Sequence, residues 1–415
     1  MQTCSTKQLC YGAVICFIGA LFYCYEFILR ILPGVLQDEL MQAFGHISAS
    51  TFGQISALYY FAYSPMQVPV GLLIDRVGPR RLLTLACLLC AIGSLGFSYL
   101  SSMWIAGAGR FLVGLGSSFA FVGVLSLATH WLPRKYFSLV AGLMTTLGMC
   151  GLIYGEVEIT RVAEQFGLPV VLNGTVMVGF ILSALLLIMV RDAPVSDQME
   201  SPAVFAWSVF FKQVLKVIVS PKVWLVGLVG ACLYTSLSVF GELWGKTYLE
   251  QAYHLSDLQA AKCMSAVFLG WAVGAPLLGF LSDHFARRII PLMIGALGGL
   301  ISIIAILYYP HWSLLQLFVW LFLYGVFTSA EIIVFVMGKE VVDDLNITGT
   351  VFAVVNMIVT LGGVIFQPLV GHILDWCALV PHVYGPLEYQ KALSLLPGSL
   401  FLVLLLGFFL SEKKK

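Results

Sequence analysis

The stretch Gly71-Leu72-Leu73-Ile74-Asp75-Arg76-Val77-Gly78-Pro79-Arg80-Arg81 decides how this chain is read. It is a short, charged, glycine-bearing break between two long apolar runs. A weaker copy, Gly279-Phe280-Leu281-Ser282-Asp283-His284-Phe285-Ala286-Arg287-Arg288, stands about half the chain later. Both copies set Gly, then Asp four places on, then a basic cluster, between apolar segments. Repetition at that distance marks an internally repeated architecture. Glycine there lets two helices approach closely. The Asp sits where a helix leaves the bilayer, and the arginines gather on the side that attracts positive charge.

Composition excludes a soluble globular chain. Apolar residues make up 60% of the sequence and charged residues 10%, against about 25% charged in an ordinary domain. The net charge of +1 implies no nucleic-acid partner. A membrane-spanning helix needs about 20 apolar residues, and twelve such runs can be drawn: 10–36, 50–73, 82–100, 103–128, 136–160, 168–190, 222–248, 261–281, 289–308, 313–336, 349–375 and 394–411. The expected fold is an all-α membrane protein with twelve transmembrane helices in two six-helix, pseudo-symmetric halves. Residues 1–190 form the first half, 191–221 a linker opening on Arg191-Asp192-Ala193-Pro194, and 222–415 the second half. In the linker, Lys212 and Lys216 share a face of an amphipathic segment suited to the membrane surface.

The basic residues orient these spans. Sixteen of the 22 Lys and Arg fall on one side, three (Arg161, Lys262, Lys391) on the other, and three (Arg30, Arg110, Lys246) inside apolar runs. The positive-inside rule then puts both termini in the cytoplasm, in a bacterial-type inner membrane. The first span lacks a small-residue cleavage site and carries a charge pair, so it is read as a retained helix. Cys87 and Cys90 form a C-x-x-C within an apolar span and are read as packing residues. The Asn346-Ile347-Thr348 sequon falls on the cytoplasmic side and is read as chance.

Charges inside the membrane carry the chemistry. Each costs about 2.5–3.5 kcal/mol at a helix centre, so such groups face partners or water. Glu26 and Arg30 are four apart in the first span and share a helix face. They either neutralise each other in packing or face a solute. Arg110 precedes a glycine-rich turn, Gly114-Leu115-Gly116. It either binds an anion or ties helices together through backbone carbonyls. Glu242 and Lys246 are also four apart and are expected to be solvated at the outer rim, with an outer gate as the alternative. Glu156, Glu158 and Arg161 are expected at an interface, with Glu158 and Arg161 pairing. Glu331 lies near the inner end of the tenth span, where it either couples to protons or pairs with Lys339. Tyr59, Tyr60, Tyr63, Tyr234 and Tyr324 offer hydroxyls to a solute, and Asn356 adds an amide.

The two charged breaks resemble the signature loops of the major facilitator superfamily, between helices 2 and 3 and, in degenerate form, between helices 8 and 9. The resemblance covers essentially the whole chain. It implies secondary active transport by alternating access, with Gly71, Asp75, Arg76, Arg80, Arg81 and Asp283 in gating. The Arg110 segment is similar to the family's helix-4 motif. The Gly-Pro pair of drug/proton antiporters is absent from the glycine-rich fifth span (Gly142, Gly148, Gly151, Gly155). The Tyr25-Glu26-Phe27…Arg30…Pro33 pattern and the eleventh span, with Asn356 and Gln367-Pro368, resemble the organic-solute branch that includes phosphate-ester antiporters and lysosomal dipeptide transporters.

The implied function is symport of a small organic solute with protons. Glu26 beside Arg30 favours a zwitterion such as an amino acid or short peptide. An organic anion held by Arg30 and Arg110 is the rival, followed by drug efflux. Glu26, ahead of Glu331, is the candidate for proton coupling. A non-transporting sensor on this fold would carry an appended domain, whereas the sequence ends at Ser411-Glu412-Lys413-Lys414-Lys415. No phosphate-binding loop or catalytic constellation occurs, so no enzyme, cofactor or metal is expected. The partners expected are a solute, the proton and the lipid bilayer, and the chain is expected to act as a monomer.

Overall fold

The computed structural model describes residues 6–100, 102–133, 136–192, 207–285, 287–342 and 347–410. Arg134 and Lys135, two of the sixteen basic residues counted on one side, together with Ala193, Pro194, Ala286, Asn346 and residues 411–415, lie outside the described residues. The described chain is helical apart from an isolated bridge between Val380 and Val383.

Among the described residues, eleven helical segments are long and apolar enough to cross a membrane. The second crossing is made instead by α3 (Ala49–Met66) and α4 (Val70–Val77), with Pro65 and Pro69 bracketing the break between them. Proline removes a backbone donor and interrupts a helix, so the apolar run divides without leaving the bundle. Gly78 ends α4 at φ +88° and hands over to Pro79, the first residue of α5 (Pro79–Phe97). A positive φ is costly for other residues, and a Cβ there would also press on the Asp192 carboxylate at 3.0 Å.

The first half continues with α6 (Met103–Ser117), α7 (Ala120–Trp131), α8 (Phe137–Phe166) and α9 (Leu168–Met189), after α1 (Thr6–Val35) and the short α2 (Gln37–Ala43). The fifth crossing thus runs six residues past its expected end at 160. The linker holds α10 (Trp207–Ile218), on which Lys212 and Lys216 are exposed and Val217 is buried.

The second half comprises α11 (Pro221–Thr235), a π-helix (Ser236–Trp244), α12 (Gly245–Tyr253), α13 (Asp257–His284), α14 (Ile289–Tyr308) and α15 (Leu314–Thr328). A 3₁₀ turn (Ser329–Glu331), α16 (Ile332–Val341), α17 (Thr348–Cys377), α18 (Pro386–Leu393) and α19 (Leu395–Gly407) complete it. The last crossing begins earlier than the run at 394 suggests, because α18 leads directly into α19.

Packing repeats between the halves. In the first, α1 lies on α8, α3 on α6, α5 on α6 and α5 on α9; in the second, α11 lies on α17, α13 on α15, α14 on α15 and α14 on α19. The halves touch mainly through α3 with α17 and α8 with α13, again a symmetric exchange. Cys87 and Cys90 are wholly buried between helices, as packing residues should be.

The contact between halves is richest at the end away from the signature loop. There Asp375 caps α3, accepting from the Ala49 and Ser50 amides at 3.1 and 3.0 Å. Gln37 donates to Tyr389 Oη at 2.9 Å and accepts from Thr247 at 3.0 Å. Lys246 donates to the Val35 carbonyl at 2.6 Å, satisfying an orphan group at the end of α1. It also pairs with Glu250 at 3.4 Å and with Asp257. Burial pushes the nearby Asp38 and Glu39 carboxyls up, and the Lys246 charge opposes that shift. At the other end Asn356 donates to Gln67 at 2.9 Å, while a Cβ on Gly71 or Gly279 would meet nothing within 4 Å.

Candidate functional site

The Glu26–Arg30 spacing does what a helix requires of it. Both side chains are buried on one face of α1, and Arg30 reaches the carboxylate with one terminal nitrogen at 3.2 and 3.3 Å. The remaining guanidinium donors go elsewhere. Nε donates to Tyr59 Oη at 2.9 Å, and the second terminal nitrogen donates to Tyr234 Oη at 3.3 Å. Tyr59 in turn donates to Glu26 at 3.1 Å. The guanidinium also lies over the rings of Phe27, Tyr63 and Tyr59, at 4.4, 5.1 and 5.4 Å from their centroids. Hydrogen bonds and ring faces together compensate a charge that would otherwise be very costly to bury.

The cluster crosses between the halves. Tyr234, on α11, stands 3.3 Å from Tyr60 on α3, and Tyr60 donates to Glu242 through a short hydrogen bond. Glu242 is 2% exposed, so it does not sit at the rim. Nor does it pair with Lys246, as i,i+4 spacing suggests. The π-helix is the reason: its wider i→i+5 turn changes the register, and residues four apart no longer stack. Its opened backbone is supported from α17, where Gln367 donates to the Ser238 carbonyl at 2.6 Å and accepts from Trp244 Nε1 at 3.1 Å. The apolar periodicity of this run does not reveal the bulge. Ser236, Ser238 and Gly241 within an apolar run were the available hint.

Arg110 comes to the cluster from beneath. Gly114, one turn on, is what permits it: a Cβ there would lie 2.8 Å from the Tyr59 carbonyl carbon. Arg110 donates to the Leu29 carbonyl at 2.8 Å and faces the Tyr59 ring at 5.1 Å. Of the two readings of this residue, the cross-helix carbonyl bond is the one present. Its Nε is buried with no hydrogen-bond partner among the described residues.

Other expectations fare differently. Tyr324 is buried within the second half against Phe240, ring centroids 5.8 Å apart, and does not join the cluster. Asn356 bonds Gln67 nearer the signature-loop end instead. Glu331 is 3% exposed and makes no ion pair with Lys339, which is exposed. Glu156 is buried, not interfacial, because α8 runs on to Phe166 and packs against α13. Glu158 and Arg161 do pair, at 2.8 Å, with both side chains partly exposed.

In the signature loop, Asp75, Arg76 and Arg81 are exposed. Asp75 forms no ion pair with Arg80 or Arg81. The Arg80 amide bonds Asp192 at 2.7 Å, and its guanidinium bonds the Leu187 carbonyl at 2.7 Å, fastening the loop to the end of α9. In the second copy the acid does find its arginine. Arg288 pairs with Asp283 at 2.6 Å and with Glu340 at 3.1 Å.

Twelve helix crossings, a repeated pairing scheme and a buried charged cluster where the halves meet define a multi-pass membrane carrier. Residues 15–367 match the family profile of the Major Facilitator Superfamily, and the chain belongs to that family. It is a membrane transporter for a small-molecule solute and not an enzyme. Among its relatives, the lysosomal dipeptide transporter MFSD1 of Danio rerio is 24% identical over 87% of this chain and 79% of its own length. Probable anion transporter 5 of Arabidopsis thaliana is 24% identical over 93% of each. Two solved structures share the fold. The inward-facing, occupied form of a bacterial homolog of the human lysosomal transporter Spinster is 16% identical over 96% of each chain, at TM-score 0.77. The nucleoside transporter NupG is 12% identical over 97% of this chain and 100% of its own, at TM-score 0.79.

Proposed function

We propose that the chain carries a small zwitterionic organic solute, such as an amino acid or short peptide, together with protons. Residues 1–190 and 222–415 rock as two bodies about the Glu26–Arg30 cluster and expose it to each side in turn, and a single chain is the working unit. The observation that carries this reading is a guanidinium shared by groups from both halves: Glu26 and Tyr59 before the linker, Tyr234 after it. Such a site offers positive charge to a carboxylate and negative charge to an amine. Arg110 and Tyr63 line it on the Arg30 side. A midplane site between pseudo-symmetric halves suits alternating access. The dipeptide transport named for the zebrafish relative supports the zwitterion. The anion transport named for the Arabidopsis relative, with the unbonded Nε of Arg110, supports an organic anion as the second reading.

Proton coupling would use Glu26 or Glu331. Glu331 has no compensating cation among the described residues. Burying an uncompensated carboxylate costs several kcal/mol, so a motion that changes its access to water shifts its preference between holding and releasing a proton. Protein reconstituted in vesicles should take up a zwitterion that raises its melting temperature, and an inward proton gradient should speed that uptake. Uptake indifferent to the gradient and to a protonophore would leave facilitated diffusion. Stabilisation by dicarboxylates or sulfonates and by no zwitterion would favour the anion reading.

The orientation proposed places the signature loop and both termini in the cytoplasm of a bacterial-type cell, on the charge bias alone. Single cysteines introduced at positions 76 and 287 should react with an impermeant maleimide only after the inner face is exposed. Labelling in intact cells would reverse the topology.

A further inference from the structure

The cluster contains two carboxylates, and they are not equivalent. Both oxygens of Glu26 are bonded: Oε1 to Arg30, and Oε2 to Arg30 and Tyr59. Glu242 holds one bond, from Tyr60 to Oε2, and its Oε1 is buried with no partner among the described residues. A buried carboxylate oxygen left unbonded is costly, and native structures seldom keep one without use. Glu242 also stands on the π-helix, an irregularity that recurs at functional sites. Arg30, Glu26 and Arg110 all lie within electrostatic reach of it.

We propose that Glu242 is the ammonium-binding residue of the site, and that the solute's ammonium displaces the Tyr60 hydroxyl from it. This rests on the zwitterion reading above. Glu26 then serves as the fixed counter-ion that positions Arg30, and Arg30 with the open Nε of Arg110 receives the solute carboxylate. An ammonium has three donors and matches Glu242 better than one hydroxyl can. Because Tyr60 lies on α3 and Glu242 on the π-helix, the exchange removes a direct bond between the two halves. Binding therefore loosens the arrangement in which the solute is captured.

The test uses full-length protein and matched compounds built on glycine, alanine and dialanine: the parent zwitterion, its N-acetyl form and its C-terminal amide. Affinities are read by calorimetry on monodisperse preparations. In the unaltered protein the parent should bind at least tenfold tighter than the N-acetyl form. Glu242→Gln should erase that ratio, whereas Glu26→Gln should weaken all forms and keep it. Tyr60→Phe removes the competing hydroxyl and should tighten the parent severalfold. If Glu242→Gln does not stay folded, Glu242→Asp keeps the charge at a shorter reach and should give an intermediate ratio. A ratio unchanged in the Glu242 variants, or erased by Glu26→Gln, overturns the assignment. So does loss of the proton-gradient stimulation of uptake in Glu242→Gln with amine discrimination intact, which would make Glu242 a proton site. If no parent binds the unaltered protein while organic anions do, the zwitterion reading itself fails, a result separate from the others.

Discussion

Arg30→Lys should weaken solute binding about a hundredfold or more although it preserves the charge. Arg30 uses its planar fork three ways at once, toward Tyr59, Tyr234 and Glu26, and lies against the Phe27 ring. A lysine ammonium is a point charge and cannot hold that geometry. Losing two or more charge-assisted bonds at about 1.5–3 kcal/mol each implies a loss on the order of a hundredfold. A double variant separates binding from packing. If Glu26 and Arg30 only neutralised each other, Glu26→Gln with Arg30→Gln would restore much of what either single change loses, because no uncompensated charge is left. If Arg30 receives the solute carboxylate, the double variant binds no better than the worse single. The measurement is solute affinity of the four proteins, each shown monodisperse. Near-normal affinity in the double variant would remove the pair from the site.

Gly34→Val should block closure at the end away from the signature loop and reduce transport at least tenfold while the helices stay folded. Gly34 lies where α1 crosses the π-helix. A Cβ there would stand 2.7 Å from the Leu243 Cα and closer still to the Glu242 carbonyl. Backbone cannot give way as a flexible side chain can, so the halves must part. Ala49 against Gly371 is a second contact of this kind. Parting at one end, in a rocking carrier, closes the other, where Gly71 and Gly279 now face open space. Spin labels on α3 and α17 at each end should report the shift as one distance lengthening and the other shortening. Asp75→Asn removes a charge that the family resemblance implies in gating; if that charge favours closure of the signature-loop end, the variant should oppose the shift when combined with Gly34→Val. Unchanged distances in Gly34→Val would show that the crossing relaxes locally and that the contact does not govern the equilibrium.

Membrane class, internal repeat and family resemblance are all legible in the sequence. Those properties are local and additive: a run of apolar residues must span, and a charged break recurring half a chain later must close a second copy of the same hairpin. The sequence also puts Glu26 and Arg30 on one face, since i,i+4 geometry is a property of one helix. Which charges meet depends on how the helices pack. Glu242 and Lys246 have the same spacing as Glu26 and Arg30, yet a π-turn supported by Gln367 from another helix sends Glu242 to Tyr60 and leaves Lys246 to Asp257 and the end of α1. Tyr234 and Tyr324 look alike as membrane tyrosines, but Tyr234 reaches Arg30 while Tyr324 is enclosed against Phe240. Glu156 looked interfacial because an apolar run does not reveal where its helix stops. In each case the deciding contact joins residues far apart in the chain, and helix register and crossing, which set such contacts, follow from the packing of the whole bundle.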